Sequence, residues 1–343
     1  MDRGVVLSAP GAVALEEILV DEPEPGEVAV RIEASGVCHT DLHVVEEHGW
    51  GHPLPVLLGH EGAGTVETVG AEVEHVVPGD RVVLGWHTAC GECAMCVHGL
   101  PRQCKRPPAA TGRLHRSDGA VLSPVLRTGT FATRTVVPAT AAVKVPAGLP
   151  TEQACLLGCA VATGVMSVLE TARVPEGASV AVIGCGAVGL SVVQGARLAG
   201  ASEIRAIDVD ERKQEQALRF GATVTGAGPV DFAFDVVGRQ ATFELALELL
   251  RGGGTAVLIG LSPGGEKAEV DLPRLFAKRA RVLTSHGGDH LPQEDFPRLA
   301  QWALEGKLDL AGMVSRRIEL DDAQRALEEL RSSPDLIRSV IVL

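Results

Sequence analysis

The chain has 343 residues, 45 % of them hydrophobic and 22 % charged, a balance that predicts a globular protein with sizeable cores rather than a disordered chain. Its formal net charge of -13 argues against nucleic acid as a partner, because such binding needs a basic surface that releases counterions. A membrane span needs about 20 apolar residues; the richest stretch, residues 180–199, is broken by four glycines and Gln194, so no membrane partner is expected.

The apolar run at residues 5–15 is split by Pro10-Gly11 and preceded by Asp2 beside Arg3. That pattern predicts a turn between two strands, not the core of a secretion signal. Eight cysteines in such a chain point to a reducing compartment, the cytoplasm, where clustered thiols serve better as metal ligands than as disulfides. Short β-rich runs follow, "EVAVRIEASGV", "GAGTVETVG" and "GDRVVLGW", whose β-branched alternation between turn residues predicts an antiparallel, partly barrelled domain. Within it, "GVCHTDLH" and "LLGHEGAG" place Cys38 and His60 at turns after strands. Taken singly, a histidine beside glycine reads equally as a solvated loop residue, and a lone cysteine as a small buried hydrophobe. With Cys159 in "LLGCAVATG", however, they offer the three soft ligands of an open catalytic zinc site.

"CGECAMCVHGLPRQC" places Cys90, Cys93, Cys96 and Cys104 at C-x2-C-x2-C-x7-C spacing. Four thiolates this close suit a closed, structural tetrahedral zinc, with an iron-sulfur cluster as the alternative by ligand type. Gly91, Gly99 and Pro101 suit a loop organised by metal rather than by a core of its own.

Beyond Cys159 strand and helix patterns alternate, "SVAVIGCG", "AVGLSVVQGARLAGA", "EIRAIDVD", "ERKQEQALRFGA", "DFAFDVVG", a helix through Leu249 and "GTAVLIGL", which predicts an α/β doubly wound parallel sheet. Gly184, Gly186 and Gly189 form G-x-G-x-x-G between strand and helix, the context that makes this pattern a dinucleotide fingerprint. Asp208 ends the next strand, where a carboxylate accepts from ribose hydroxyls and repels a 2′-phosphate. NAD is favoured over NADP, with Arg212 and Lys213 leaving the phosphorylated cofactor open. After "ARVLTSHGG" come two helical stretches, "DFPRLAQWALEGKL" and "LDDAQRALEELRSS", and an apolar strand "RSVIVL" expected to return to the first domain.

In this order and at these separations, "GVCHTDLH", "GHEGAGTVETVG", "PGDRV", the four-thiol lobe, "GCAVATG" and "GCGAVGLSVVQGARLAGA" resemble the zinc-dependent alcohol dehydrogenases of the medium-chain dehydrogenase/reductase family over nearly the whole chain. The resemblance implies a GroES-like catalytic domain at residues 1–160 with a structural zinc lobe at 88–106. It also implies a Rossmann domain at 161–285 and a return segment at 286–343. It implies two zinc ions per subunit, the catalytic one on Cys38, His60 and Cys159 and the structural one on Cys90, Cys93, Cys96 and Cys104. Glu61 in relatives approaches the metal, and in polyol-dehydrogenase relatives replaces the second cysteine; Cys159 favours the alcohol dehydrogenase pattern.

By the same resemblance Thr40 bonds the substrate oxygen, His43 ends a proton relay and Asp41 orients His60. His39, Thr163, Val188, Lys213 and Arg338 match cofactor contacts, and Trp50, Trp86 and Phe131 match pocket positions. The expected activity is reversible, NAD-dependent oxidation of a small primary or secondary alcohol (aromatic, allylic or medium-chain) to an aldehyde or ketone. The alternatives are a thiol-dependent formaldehyde dehydrogenase, for whose carrier Arg113, Arg116 and Arg127 are basic candidates, a polyol dehydrogenase, and a nucleotide-binding protein without the chemistry. A homodimer or homotetramer pairing near "RARVLTSHGG" is implied as well.

Overall fold

The computed structural model describes residues 1–261, 266–330 and 336–343. The chain forms two compact units, Met1–Cys159 with Leu291–Leu343, and Ala160–His290.

The first unit is built on two sheets. A five-stranded sheet runs Leu114–Arg116, Ala12–Val20, Asp2–Ala9, Val56–Leu57, Ser123–Pro124. The larger sheet runs Ala142–Lys144, Arg81–Leu84, Glu61–Val69, Glu27–Gly36, Arg338–Val342, Val314–Ile318, with Arg134–Pro138 also on Glu27–Gly36. The strand Glu27–Gly36 explains the arrangement, since its alternate residues Val28, Val30 and Ile32 enter a core with Val66, Val82, Leu84 and Val137. Each such side chain contributes roughly 1.5–3 kcal/mol when fully buried, and period-2 alternation fixes which face it serves. The register sets Gly36 opposite Glu61 on one side and Val340 on the other, so the C-terminal strand lies between Glu27–Gly36 and the edge strand Val314–Ile318. The helix His39–Glu46 follows directly, burying Leu42 and Val44 against Val5, Leu7, Leu58, Phe131 and Ile341.

The second unit carries a six-stranded sheet in the order Val224–Thr225, Glu203–Ile207, Ser179–Ile183, Val230–Asp235, Leu250–Leu258, Arg281–Thr284, every pair parallel. Its central strand "SVAVI" is buried at every position, as a strand covered on both faces must be. The α/β class expected from the sequence is the class observed. The unit extends to His290. The reason is side-chain bonding: Ser285 Oγ lies 2.8 Å from Ser167 Oγ and 2.9 Å from Thr171 Oγ1, and Thr171 Oγ1 donates to Asp289 Oδ2 at 2.6 Å. The helices Pro292–Leu304 and Ala323–Glu329 belong to the first unit. The end of the second predicted helix, residues 331–333, lies outside the described residues. Among those described, no single helix is long and apolar enough to cross a membrane.

Candidate active site and metal centres

Three separated segments of the first unit bring Cys38, His60, Glu61 and Cys159 together, with one ligand atom from each lying within 4.8 Å of the others. Cys38 caps the helix His39–Glu46, and His60 and Glu61 stand at the start of the strand Glu61–Val69. Cys159 follows a short helical turn, Cys155–Gly158. Close approach is permitted by glycine. A Cβ on Gly36 would lie 2.0 Å from Glu61 Oε2, and one on Gly158 would lie 3.0 Å from the Leu84 carbonyl oxygen and 3.6 Å from Glu61 Cα.

The donor set fits a metal by what it leaves unpaired. His60 is fully buried, and its Nδ1 lies 3.2 Å from both oxygens of Asp41. Its Nε2 has no hydrogen-bond partner, although a buried nitrogen lacking one is costly. Asp41 is held in turn by the Gly59 N–H at 2.9 Å, giving the carboxylate–histidine arrangement that fixes a ligand's tautomer. The hydrogen bond from Cys159 holds the Cys38 thiol well below its ordinary range, aided by Arg338 and His60 against the effect of burial. Glu61 Oε1 accepts from Arg338 Nη2 at 2.9 Å, while Oε2 is buried without a partner. Burial pushes the Glu61 carboxyl up to about 7 even though Arg338 pulls it down.

The four-thiol lobe passes a geometric test. Zn–S bonds of about 2.3 Å in a tetrahedron place sulfurs about 3.8 Å apart. The observed separations are 3.6 Å for Cys93–Cys96, 3.9 Å for Cys93–Cys104 and 4.0 Å for Cys90–Cys96. Backbone N–H groups of Glu92 and Cys93 point at Cys90 Sγ, and that of Cys90 at Cys104 Sγ, at 3.3–3.4 Å. Backbone donors from Lys105 and Cys96 lower the Cys93 thiol to about 6. The lobe is tied to the helix Pro292–Leu304 by Arg102, whose Nη1 donates to the buried Asp295 Oδ2 at 2.6 Å.

In the second unit the three glycines differ in what a side chain would meet. Gly184 turns with φ +98, and a Cβ there would meet Val237; one on Gly189 would lie 1.8 Å from the Gly184 carbonyl oxygen; one on Gly186 would meet nothing within 4 Å. Turn, close helix–strand packing and an open face for pyrophosphate are the three tasks of this motif. Asp208 Oδ2 accepts from the Cys185 N–H at 2.7 Å and Oδ1 from the Asp210 N–H at 3.0 Å, so the carboxylate braces the glycine turn. Lys213 lies near enough for its charge to act on Cys185. Val188 is half-buried on the helix that the fingerprint opens, and Thr163 is buried.

The family models match accordingly, the alcohol dehydrogenase GroES-like domain at residues 24–147 and the zinc-binding dehydrogenase at 187–305. The S-(hydroxymethyl)glutathione dehydrogenase of Saccharomyces cerevisiae is 34 % identical over 98 % of this chain and 95 % of its own. The chain belongs to the zinc-dependent alcohol dehydrogenases of the medium-chain dehydrogenase/reductase family. Among solved structures, an alcohol dehydrogenase zinc-binding domain protein from Burkholderia ambifaria superposes with TM-score 0.93 at 33 % identity, covering 100 % of this chain and 98 % of its own. Benzyl alcohol dehydrogenase from Acinetobacter calcoaceticus superposes with TM-score 0.92 at 28 % identity, covering 100 % and 99 %. As a member of this family the protein is an oxidoreductase whose cofactors are zinc and a nicotinamide dinucleotide, and its two zinc-binding clusters are the ones built above.

The structure shows what surrounds the other residues assigned by resemblance in this alcohol dehydrogenase. Phe131 is fully buried in the core around Leu7, Leu42 and Leu58. Its place is fixed by the backbone, since Phe131 N donates to the Leu58 carbonyl at 2.9 Å. Arg338 is 3 % exposed and gives its guanidinium to Glu61 and to the Val37 carbonyl. In this structure it serves the carboxylate beside the metal set. That pairing joins residues 277 apart in sequence, and only sheet register could have shown it. His39 is exposed, and Thr40 and His43 are half-buried on the same helix. Trp50 and Trp86 are half-buried, with the Trp50 ring 6.1 Å from that of His43.

Proposed function

We propose that the protein oxidises a small alcohol reversibly to its aldehyde or ketone, with NAD rather than NADP as hydride acceptor. The observation that carries this reading is the buried Cys38, His60 and Cys159 set with His60 Nε2 unpaired, in a chain whose fingerprint leaves Gly186 open. When bound, zinc supplies a Lewis acid for the alcohol oxygen and the nicotinamide takes up hydride. Thr40 and His43 sit three apart on one helix and so share a face. Thr40 Oγ1 orients the substrate hydroxyl. His43 Nδ1, buried without a hydrogen-bond partner and 3.9 Å from Glu46 Oε2, receives the proton and releases it to solvent.

Cofactor choice follows from charge. Asp208 presents a carboxylate to a ribose, and Arg212, a candidate for a 2′-phosphate, is clamped to Asp210 by bonds of 2.8 and 3.1 Å. Cys159 as third ligand and Glu61 held by Arg338 favour alcohol over polyol oxidation. Homo-oligomer formation through the sheet edge Arg281–Thr284 is supported by exposed Val282, Phe276 and Leu272 around that edge, a surface that invites strand pairing.

A second reading, oxidation of a formaldehyde–thiol adduct, is favoured by the name of the yeast relative. Two of its three candidate carrier-binding arginines are already neutralised, Arg113 by Glu24 and Glu27 and Arg116 by Glu16 and Asp118. NADH formation by zinc-loaded protein across primary and secondary alcohols, beside formaldehyde with and without glutathione, tests both readings. Alcohol turnover that survives in Cys38→Ala would remove the metal set from the reaction.

A further inference from the structure

The chain passes between its two units twice, once between Cys159 and Ala160 and once between His290 and Leu291. The first crossing starts from a metal-binding residue, because Cys159 belongs to the buried donor set. The second ends on Leu291, the cap of the helix Pro292–Leu304, and is held by Asp295, 1 % exposed on the first turn of that helix. Leu291 N donates to Asp295 Oδ2 at 2.7 Å, and Asp295 N donates back to the Leu291 carbonyl at 2.8 Å. The side chain thus satisfies a donor that a helix start leaves open. A buried carboxylate also needs cations around it. Arg298, one turn on in the same helix and with its guanidinium over the Trp302 ring, supplies one through Nη2 to Oδ1 at 2.9 Å. The other comes from 193 residues away in the chain: Arg102 Nη1 donates at 2.6 Å to Oδ2, the same oxygen that holds Leu291.

Arg102 owes its position to the thiols. It sits in the short helical turn Pro101–Gln103, closed by Cys104 N donating to the Pro101 carbonyl at 3.0 Å, and Cys104 Sγ accepts from Cys90 N at 3.3 Å. None of residues 94–103 is buried, so metal rather than a core fixes the turn that aims this guanidinium. The chain leading into the lobe bears on the same helix start. A Cβ on Gly85 would lie 2.7 Å from Pro292 Cγ. Gln293 Nε2 donates to the Thr140 carbonyl at 3.0 Å, and Thr140 Oγ1 lies 3.3 Å from Thr88 Oγ1.

We propose that zinc in the four-thiol lobe anchors the return crossing at Leu291 through Arg102 and Asp295, so that filling the lobe and ordering the crossing are one linked equilibrium. Arg102 and Asp295 are positioning residues, and neither is a ligand. Linkage makes the effect reciprocal: whatever order the metal confers at Leu291, the Asp295 pair returns as affinity for the metal. The inference stands apart from the alcohol-oxidation reading, since none of its readouts needs turnover.

The test compares full-length protein holding two zinc ions with Cys104→Ser, Arg102→Met, Asp295→Asn and Glu294→Gln. Hydrogen exchange is followed at residues 291–295, and chelator competition with zinc counting follows each ion. Cys104→Ser should raise exchange at residues 291–295 about 10-fold or more. Arg102→Met keeps all four thiols; it should raise that exchange likewise and release the ion of the lobe at about 10-fold lower chelator strength or less. Asp295→Asn should loosen the same ion by a comparable factor, with the ion at Cys38, His60 and Cys159 as internal reference. Glu294, which also meets Arg102 but lies in solvent with 66 % of its side chain exposed, should matter less than about threefold. If Asp295→Asn fails to fold, Arg102→Met decides, because its side chain is 24 % exposed and methionine keeps the apolar stem. Exchange at residues 291–295 unmoved in Cys104→Ser, or exchange and lobe affinity both unmoved in Arg102→Met, overturns the proposal. So does an equal rise in exchange across the whole first unit in Arg102→Met, which would be a loss of general stability, or an effect of Glu294→Gln as large as that of Arg102→Met.

Discussion

Asp41→Asn is the sharpest test of how the catalytic metal site is held. The native carboxylate is fully buried, with Oδ1 2.9 Å from the Gly59 nitrogen and 3.2 Å from His60 Nδ1, and Oδ2 also 3.2 Å from Nδ1 and otherwise unpartnered. Asparagine is nearly isosteric and can keep Oδ1 for both donors. Its amide NH2 must then occupy the Oδ2 position, where it faces the Nδ1–H that His60 carries when Nε2 ligates metal. One buried donor is left unsatisfied and a charge-assisted bond becomes neutral, a loss of about 1–3 kcal/mol. The corresponding factor, about 10–100 in metal affinity, is the range found for such outer partners. Chelator competition followed by zinc counting should show one ion per chain released at about 10–100-fold lower chelator strength than in wild type. The other ion serves as an internal control, because Cys90, Cys93, Cys96 and Cys104 are a separate cluster. Loss of kcat/KM should track loss of the first ion. Two ions released together at wild-type chelator strength, with kcat/KM within about threefold, would refute the orienting role of Asp41.

The fingerprint glycines should separate by phenotype. Gly189→Ala places a Cβ 1.8 Å from a backbone oxygen, so helix and strand must part; a melting temperature lower by several degrees and weaker NADH binding are expected by circular dichroism and fluorescence titration. Gly186→Ala has open space and should melt like wild type while NADH affinity falls about 10-fold or more, since the added methyl stands where pyrophosphate must approach. On the acid side, hydrogen bonds from the Ser179 side chain and backbone hold the Asp231 carboxyl below its ordinary 3.8. The unfolded chain therefore binds the proton first, so the stabilisation is present above about pH 4 and is lost as pH falls through the lowered folded value; Asp231→Asn should flatten that part of a urea-denaturation series. Cys104→Ser should leave one zinc per chain and make the loop at residues 90–104 a site of limited proteolysis, because most of its residues lie at the surface and metal supplies its order.

How far the sequence could be read depended on whether chemistry was written locally. The lobe was legible because short spacers alone bring Cys90, Cys93, Cys96 and Cys104 together, and the glycine fingerprint because strand, turn and helix are consecutive in the chain. Asp208 was legible as the end of the next strand, though not its brace on Cys185 N–H, which is a property of the folded turn. The site around His60 was offered by the residue types of three segments and assigned through resemblance to a family, since those segments meet by tertiary packing and each is ordinary by itself. The Arg338–Glu61 pair was not legible, since only the strand register beside Gly36 delivers that guanidinium to Glu61.

The two metal sets differ in what holds them before any ion arrives, and that difference carries functional meaning. In the lobe, the preparation consists of backbone N–H groups aimed at sulfur, which favours thiolates but leaves an exposed loop with little else to fix it. At the Cys38, His60 and Cys159 set, the ligands are anchored by a helix cap, a sheet strand and a buried turn, and by the Asp41–His60 and Glu61–Arg338 pairs. Breaking a buried ion pair costs about 3–5 kcal/mol, so the scaffold resists rearrangement and the donor geometry persists without metal. A centre that must exchange substrate oxygens at one position benefits from ligands that do not move when that position changes. A centre that only ties a loop needs no such rigidity, and this protein spends its buried charge where turnover would otherwise disturb the geometry.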